Sequence, residues 1–145
     1  MEEKELTGQI IRNFYTVYNT LGYGFLESVY QNAMMLELVG SGLRVEPERG
    51  IAVSYNGRVV GTFAADLVVE DRVIIELKAK ERLINADEAQ LTNYLRATEI
   101  EIGLLFNFGR SPEFKRKYFS NANKKLTADQ SDEVLLKALF VDDPF

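Results

Sequence analysis

The run VIIELKA, residues 73–79, sets the terms on which this chain can fold. Val73, Ile74, Ile75, Leu77 and Ala79 suit a strand deep inside a protein, yet Glu76 and Lys78 stand among them, and an unpaired carboxylate or ammonium is costly to bury. Alternate side chains of a strand share a face, so Val73, Ile75 and Leu77 point one way and Ile74, Glu76 and Lys78 the other. The fold must therefore cover one face with apolar packing and bring to the other something that offsets two charges.

The strand before it carries its own misplaced charge, Asp66 in RVVGTFAADLVV, on the face of Ala64 and Val68. A three-residue turn at Glu70, Asp71 and Arg72 puts Val69 opposite Val73 and Asp66 opposite Glu76; a turn of two or four residues separates the charges onto opposite faces. The odd-length turn is the expectation here. Two carboxylates across one strand pair repel, so this register makes sense when a cation sits between them.

Around this pair the periodicities predict a mixed α/β layer fold in one domain, residues 1–145. Leu6, Ile10, Phe14, Val17, Tyr18 and Leu21 mark a first helix, broken by Gly22 and Gly24. A second is expected from Leu26 to Val39 with Val29, Tyr30, Ala33 and Met34 inward, ended by Gly40 and Gly42. GIAVSY, the hairpin pair Asn56-Gly57, the Asp66 strand and VIIELKA form a three-stranded meander. NADEAQLTNYLRAT follows as a helix, with Asn85 and Glu88 spaced as a capping box, and then EIGLLFNFG as a buried strand. The tail from Thr127 predicts a last helix packing Val134, Leu135, Ala138 and Leu139, with VDDPF frayed.

What is absent narrows the chemistry. Without Cys there is no disulfide framework or thiolate nucleophile, and without His any acid or base work falls to Asp, Glu, Lys, Tyr or a metal-activated water, which favours hard cations with oxygen ligands. No apolar stretch reaches membrane-spanning length and MEEKELTGQI lacks the order of a secretory signal, so a cytoplasmic protein with no membrane partner is expected. The net charge of −5 is uneven: residues 110–125 hold six cations against Glu113, a local +5 that leaves −10 for the remainder. With Phe114, Tyr118 and Phe119 interleaved, that stretch suits either a phosphate backbone or a solvated edge with its aromatics turned inward.

Asp, then about ten residues, then Glu-x-Lys has the shape of a metal-dependent phosphodiester hydrolase site. Asp66 and Glu76 would hold Mg²⁺ or Mn²⁺ with the backbone carbonyl of Leu77 as a further ligand, and Lys78 would orient or help deprotonate the attacking water or offset the phosphorane charge. The plain alternative is a sheet-face Glu76–Lys78 ion pair with Asp66 solvated, worth ~0 to 1 kcal/mol. Gln90 and Tyr94, one turn apart on one helix face, can point together at the mouth of the sheet, although a core Tyr94 and a surface Gln90 are the simpler reading. Glu27, in the first turn of its helix, suits the dipole there and can also reach a metal. Lys80 and Arg82, just past the strand, are placed to hold a phosphate unless Glu81 or Asp87 pairs with them.

GFLESVY, residues 24–30, resembles the G-x-x-E-x-x-Y signature of the GxxExxY protein family, within the PD-(D/E)XK nuclease superfamily. ADLVVEDRVIIELKAKERL, EAQLTNYLRAT and IGLLFNFG resemble the rest of that family in order and spacing, over roughly residues 5–120. Gln90 to Tyr94 is also similar to the Q-x-x-x-Y element of RecB-type exonucleases. The resemblance implies a restriction-endonuclease-like core, a mixed sheet of about four strands flanked by helices. It also implies Asp66 and Glu76 as metal ligands, Lys78 as the catalytic lysine, Glu27 as an auxiliary acid near the metal, and Gln90 and Tyr94 on the substrate side. Ala65 stands where the superfamily's name has Pro. The expected function is a nuclease hydrolysing nucleic acid, DNA foremost, by a metal-activated water; a silent nucleic-acid- or protein-binding module and a purely structural domain are the alternatives. Small nucleases of this fold often act as dimers, but no isologous patch is marked in the sequence, so a homodimer stays open.

Overall fold

Leu6, Ile10, Phe14 and Val17 recur on one helical face and are all buried along α1 (Glu3–Leu21). The helix stops at Gly22, whose φ of +68° favours glycine and whose N–H donates to the Tyr18 carbonyl. In this computed structural model residues 1–127 are described, so the helix expected beyond Thr127 lies outside the described residues. A second helix, α2 (Glu27–Gly40), buries Tyr30, Met34 and Leu38, and both helices pack on one face of the sheet. Val29, expected to face inward, is instead 36% exposed, because the buried stripe of α2 runs through Tyr30 at four-residue steps and leaves Val29 beside it.

Five strands follow in spatial order of sequence: β1 (Val45–Tyr55), β2 (Arg58–Val69), β3 (Val73–Lys78), β4 (Ile102–Phe108) and β5 (Pro112–Tyr118). The first three form the expected meander, turning at Asn56 and Gly57, whose φ values of +48° and +77° suit a two-residue hairpin. The helix α3 (Asn85–Arg96) carries the chain from β3 to β4, which pair in parallel. The fifth strand exceeds the expected four: the basic stretch pairs antiparallel with β4 as an edge, its Phe114 ring against Tyr15 and Phe106.

The second face of the sheet is covered by α3. Leu91, Tyr94 and Leu95 pack there on Val68, Ile74 and Leu105. The cap of α3 lies one residue earlier than the Asn85–Glu88 spacing suggests. Ile84 is the N-cap, and its N–H donates to Asp87 Oδ2 at 2.9 Å. Asp87 wins over Glu88 because the same oxygen also takes the Lys80 ammonium at 2.8 Å.

Close packing of α3 on β4 depends on Gly103, where an added Cβ would stand 2.7 Å from Leu91 Cδ1. Gly103→Ala is expected to cost ~1–3 kcal/mol in urea unfolding. At Gly50 no described atom comes within 4 Å of such a Cβ, so Gly50→Ala should leave stability unchanged or slightly raised. Equal stability of the two variants would contradict the seating of α3.

Candidate active site

The turn between β2 and β3 has the expected odd length. Glu70 and Asp71 take φ values of +53° and +54°, Val69 lies opposite Val73, and Leu67 opposite Ile75. There the backbone ladder stops. In the next position Asp66 and Glu76 cross between the diverging strands: the Asp66 N–H donates to Glu76 Oε1 at 3.1 Å, and the Leu77 N–H donates to Asp66 Oδ2 at 2.7 Å. Each carboxylate thus replaces a ladder bond with a bond from its own side chain to the other strand's backbone.

The β1 side of Asp66 is irregular as well. Pro47 pairs with Leu67 and Arg49 with Ala65, but Glu48, at φ +51°, and Asp66 between them do not pair. Alternation slips at this point, and Phe63 and Ala65 join Val68 in the core beneath α3 while Ala64, expected to share its face, is exposed. From the opposite face Gln31 of α2 reaches in: its Nε2 donates to the Asp66 carbonyl at 2.9 Å and to Glu48 Oε1 at 2.8 Å.

Burial makes this pair electrostatically unusual. Glu76 is 5% exposed, and desolvation, reinforced by the Asp66 charge, pushes its pKa up to about 9. Asp66 is raised for the same first reason, burial, although the Leu77 N–H opposes the shift. Lys78, on the same face, lowers both but sends its Nζ to Gln90 Oε1 at 3.2 Å rather than to either carboxylate. The donor set, two desolvated carboxylates with no cation bonded to them, fits a hard divalent ion, which the Leu77 carbonyl beside them could also serve. Among the described residues no group of three acidic side chains is gathered for a metal.

The remaining expected residues are distributed around this fork. Glu27 is exposed in the first turn of α2, one turn before Gln31 on the same helical face, with no hydrogen bond or ion pair among the described residues. The Tyr30 hydroxyl donates to the Gly22 carbonyl at 2.7 Å and accepts from the Phe25 N–H, which ties the loop before Glu27 to the helix. Tyr94 is buried, and burial followed by the Glu76 and Asp66 charges pushes its phenol up to about 12. Gln90 is exposed and holds Lys78. The Lys80 ammonium is bound to Asp87, the pairing that competes with a phosphate role, while Arg82 is exposed with no ion pair among the described residues.

Two functional supports escaped the sequence reading. Gln31 carries a signal in hindsight, four residues after Glu27 on one face. Asn107, fully buried at the end of β4 opposite Lys78, clamps the loop after β3: its Oδ1 accepts from the Lys80 N–H at 3.0 Å and its Nδ2 donates to the Lys80 carbonyl at 2.9 Å. Its signal was the one that exposed Glu76, a lone polar side chain in an apolar strand.

A family model described as the PD-(D/E)XK nuclease superfamily matches residues 4–117, from the first turn of α1 almost to the end of β5. No curated protein and no solved structure matches the chain significantly. The helix lengths and compositions give no membrane span among the described residues.

A proton on the buried pair has a thermodynamic consequence. Glu76 has a folded pKa near 9 against an ordinary 4.5, so without divalent ions its contribution to stability is full below about 4.5 and is lost as pH rises towards about 9. With chelator present, wild-type stability should fall by on the order of 1 kcal/mol per pH unit between pH 6 and 9, and Glu76→Gln should flatten that slope in thermal melts. A flat wild-type profile would mean that the pair holds no proton.

Proposed function

The chain belongs to the PD-(D/E)XK nuclease superfamily, and from that premise we propose that it is a metal-dependent nuclease cutting nucleic-acid phosphodiesters, DNA foremost. The observation that carries the reading is the crossed pair itself, two carboxylates desolvated at a strand fork where neither repulsion nor burial favours them without a cation. Within the superfamily, the Gly24, Glu27 and Tyr30 pattern supports placement in the GxxExxY family.

Asp66, Glu76 and the Leu77 carbonyl would hold Mg²⁺ or Mn²⁺. Such an ion, when bound, neutralises the carboxylates, lowers the pKa of a water and draws off charge from the phosphate. Lys78, steadied by Gln90, orients the attacking water or stabilises the negative charge that builds on the phosphorus oxygens. Glu27, exposed in the first turn of α2, would serve as an auxiliary acid. Tyr94, Lys80 and Arg82 line the substrate side, where Lys80 must exchange Asp87 for a phosphate.

A binding module without turnover is the second reading, favoured by the negative charge outside residues 110–125, a poor surface for nucleic acid. Its mark would be binding indifferent to metal and to Glu76. The two separate in one experiment: single-stranded, linear, circular and branched DNA, and RNA, with Mg²⁺, Mn²⁺ or chelator. Metal-dependent cleavage by wild type and a loss of at least about a hundredfold in folded Glu76→Ala and Lys78→Ala proteins is the expected result. Mg²⁺ should also raise the melting temperature of wild type and not of Glu76→Ala. Full activity in both variants would overturn the assignment.

A further inference from the structure

The β1–β2 hairpin continues past the fork, and on its α3 side Tyr94 meets a residue to which the hydrolytic reading gives no role, Phe63. Phe63 stacks on Tyr94 with ring centroids 3.8 Å apart and planes 18° from parallel. Tyr94 is buried, whereas Phe63 is only half-buried. Phe63 precedes Asp66 by three residues on the same strand, about 10 Å along an extended chain.

The next position on that face is Gly61, paired with Val53 as Phe63 is paired with Ile51. Among the described residues no atom comes within 4 Å of where a Gly61 Cβ would stand. Gly61 does not take a positive φ, so its backbone does not require glycine; what it contributes is the missing side chain. Next to the Tyr94–Phe63 stack β2 therefore offers no side chain at Gly61, and the neighbour on that face is Val53 of β1, partly buried against the same cluster.

A planar ring extends such a stack. Nucleobases offer a π face whatever their sequence, but in a duplex those faces are taken up by neighbouring pairs, so an unpaired base is the ligand that fits. We propose that Phe63, backed by Tyr94 and given room by Gly61, is a stacking platform for an unpaired nucleobase of the strand whose phosphate lies at the Asp66–Glu76 fork. The substrate is then single-stranded or frayed nucleic acid. The proposal rests on the nuclease reading for where the phosphate lies, and on its own geometry for the base.

Binding measured with Ca²⁺, a hard cation for the fork, in place of Mg²⁺ and over times in which the oligonucleotide stays intact keeps this test apart from cleavage. A single-stranded oligonucleotide carrying 2-aminopurine and its blunt duplex would be titrated against wild type, Gly61→Val and Phe63→Leu, following anisotropy and base fluorescence. Wild type should bind the single strand more tightly than the duplex and quench the 2-aminopurine. Both variants should lose about tenfold in single-strand affinity, and the quenching, while duplex binding stays unchanged. Gly61→Val leaves both rings in place and is the sharper probe; should it melt well below wild type, Phe63→Leu decides. No single-strand binding by wild type, a preference for duplex, or wild-type quenching in a folded variant would overturn the platform. Absence of cleavage with Mg²⁺ alongside intact stacking would overturn the nuclease reading alone.

Discussion

Two carboxylates facing each other across a strand pair would ordinarily force the strands to slip by a residue or move apart. Here the backbone ladder ends at Leu67 and Ile75, one position before the pair, and the two side chains fill the gap where the strands part. Asp66 and Glu76 each accept a hydrogen bond from the opposite backbone, so where the strands separate the Asp66 and Leu77 N–H groups still find acceptors. The rest of the molecule is arranged to hold that fork open. Three residues of apolar ladder, Leu67 to Val69 against Val73 to Ile75, fix the register below it, and Gln31 holds the Asp66 carbonyl from the far side.

Rigidity in β3 comes from its central place. Its two neighbours differ in direction, β2 antiparallel and β4 parallel, and both faces are covered, one by α1 and α2 and the other by α3. A strand so enclosed is a poor host for charge, and for that reason burial dominates the shift of Glu76. Just past β3 the Asn107 clamp and the Lys80–Asp87 pair stiffen the loop carrying Lys80 and Arg82. A Cβ on Gly109 would stand 2.6 Å from the Lys80 carbonyl, so the residue that follows β4 and this loop are fitted backbone to backbone. Sites of this kind gain from fixed supports because a displaced ligand loses more than a displaced surface group.

Legibility followed the kind of signal each part carried. Helical spacing in α1 and α3, the Asn56-Gly57 turn and the three-residue turn before β3 are local, and the elements they predict are present. The edge strand β5 was hidden because its alternating cations and aromatics satisfy a solvated loop and an edge strand equally, and only pairing with β4 distinguishes them. Val29 and the cap of α3 were misplaced by one step for a related reason. A helix can rotate or begin a residue earlier when a distant partner, Lys80 in the case of Asp87, makes it favourable.

By itself the sequence determined the meander, its register and hence the opposition of Asp66 and Glu76, since a period of two and a turn of odd length leave one way to place them. It also carried the pattern that the superfamily match recognises across residues 4–117. Only the tertiary structure decided that the carboxylates would cross into a fork, that alternation would slip so Phe63 meets Tyr94, and that Gln31 and Asn107 would brace the two sides. Those outcomes depend on contacts between residues tens of positions apart, whose energies are set by burial and geometry that no local period encodes.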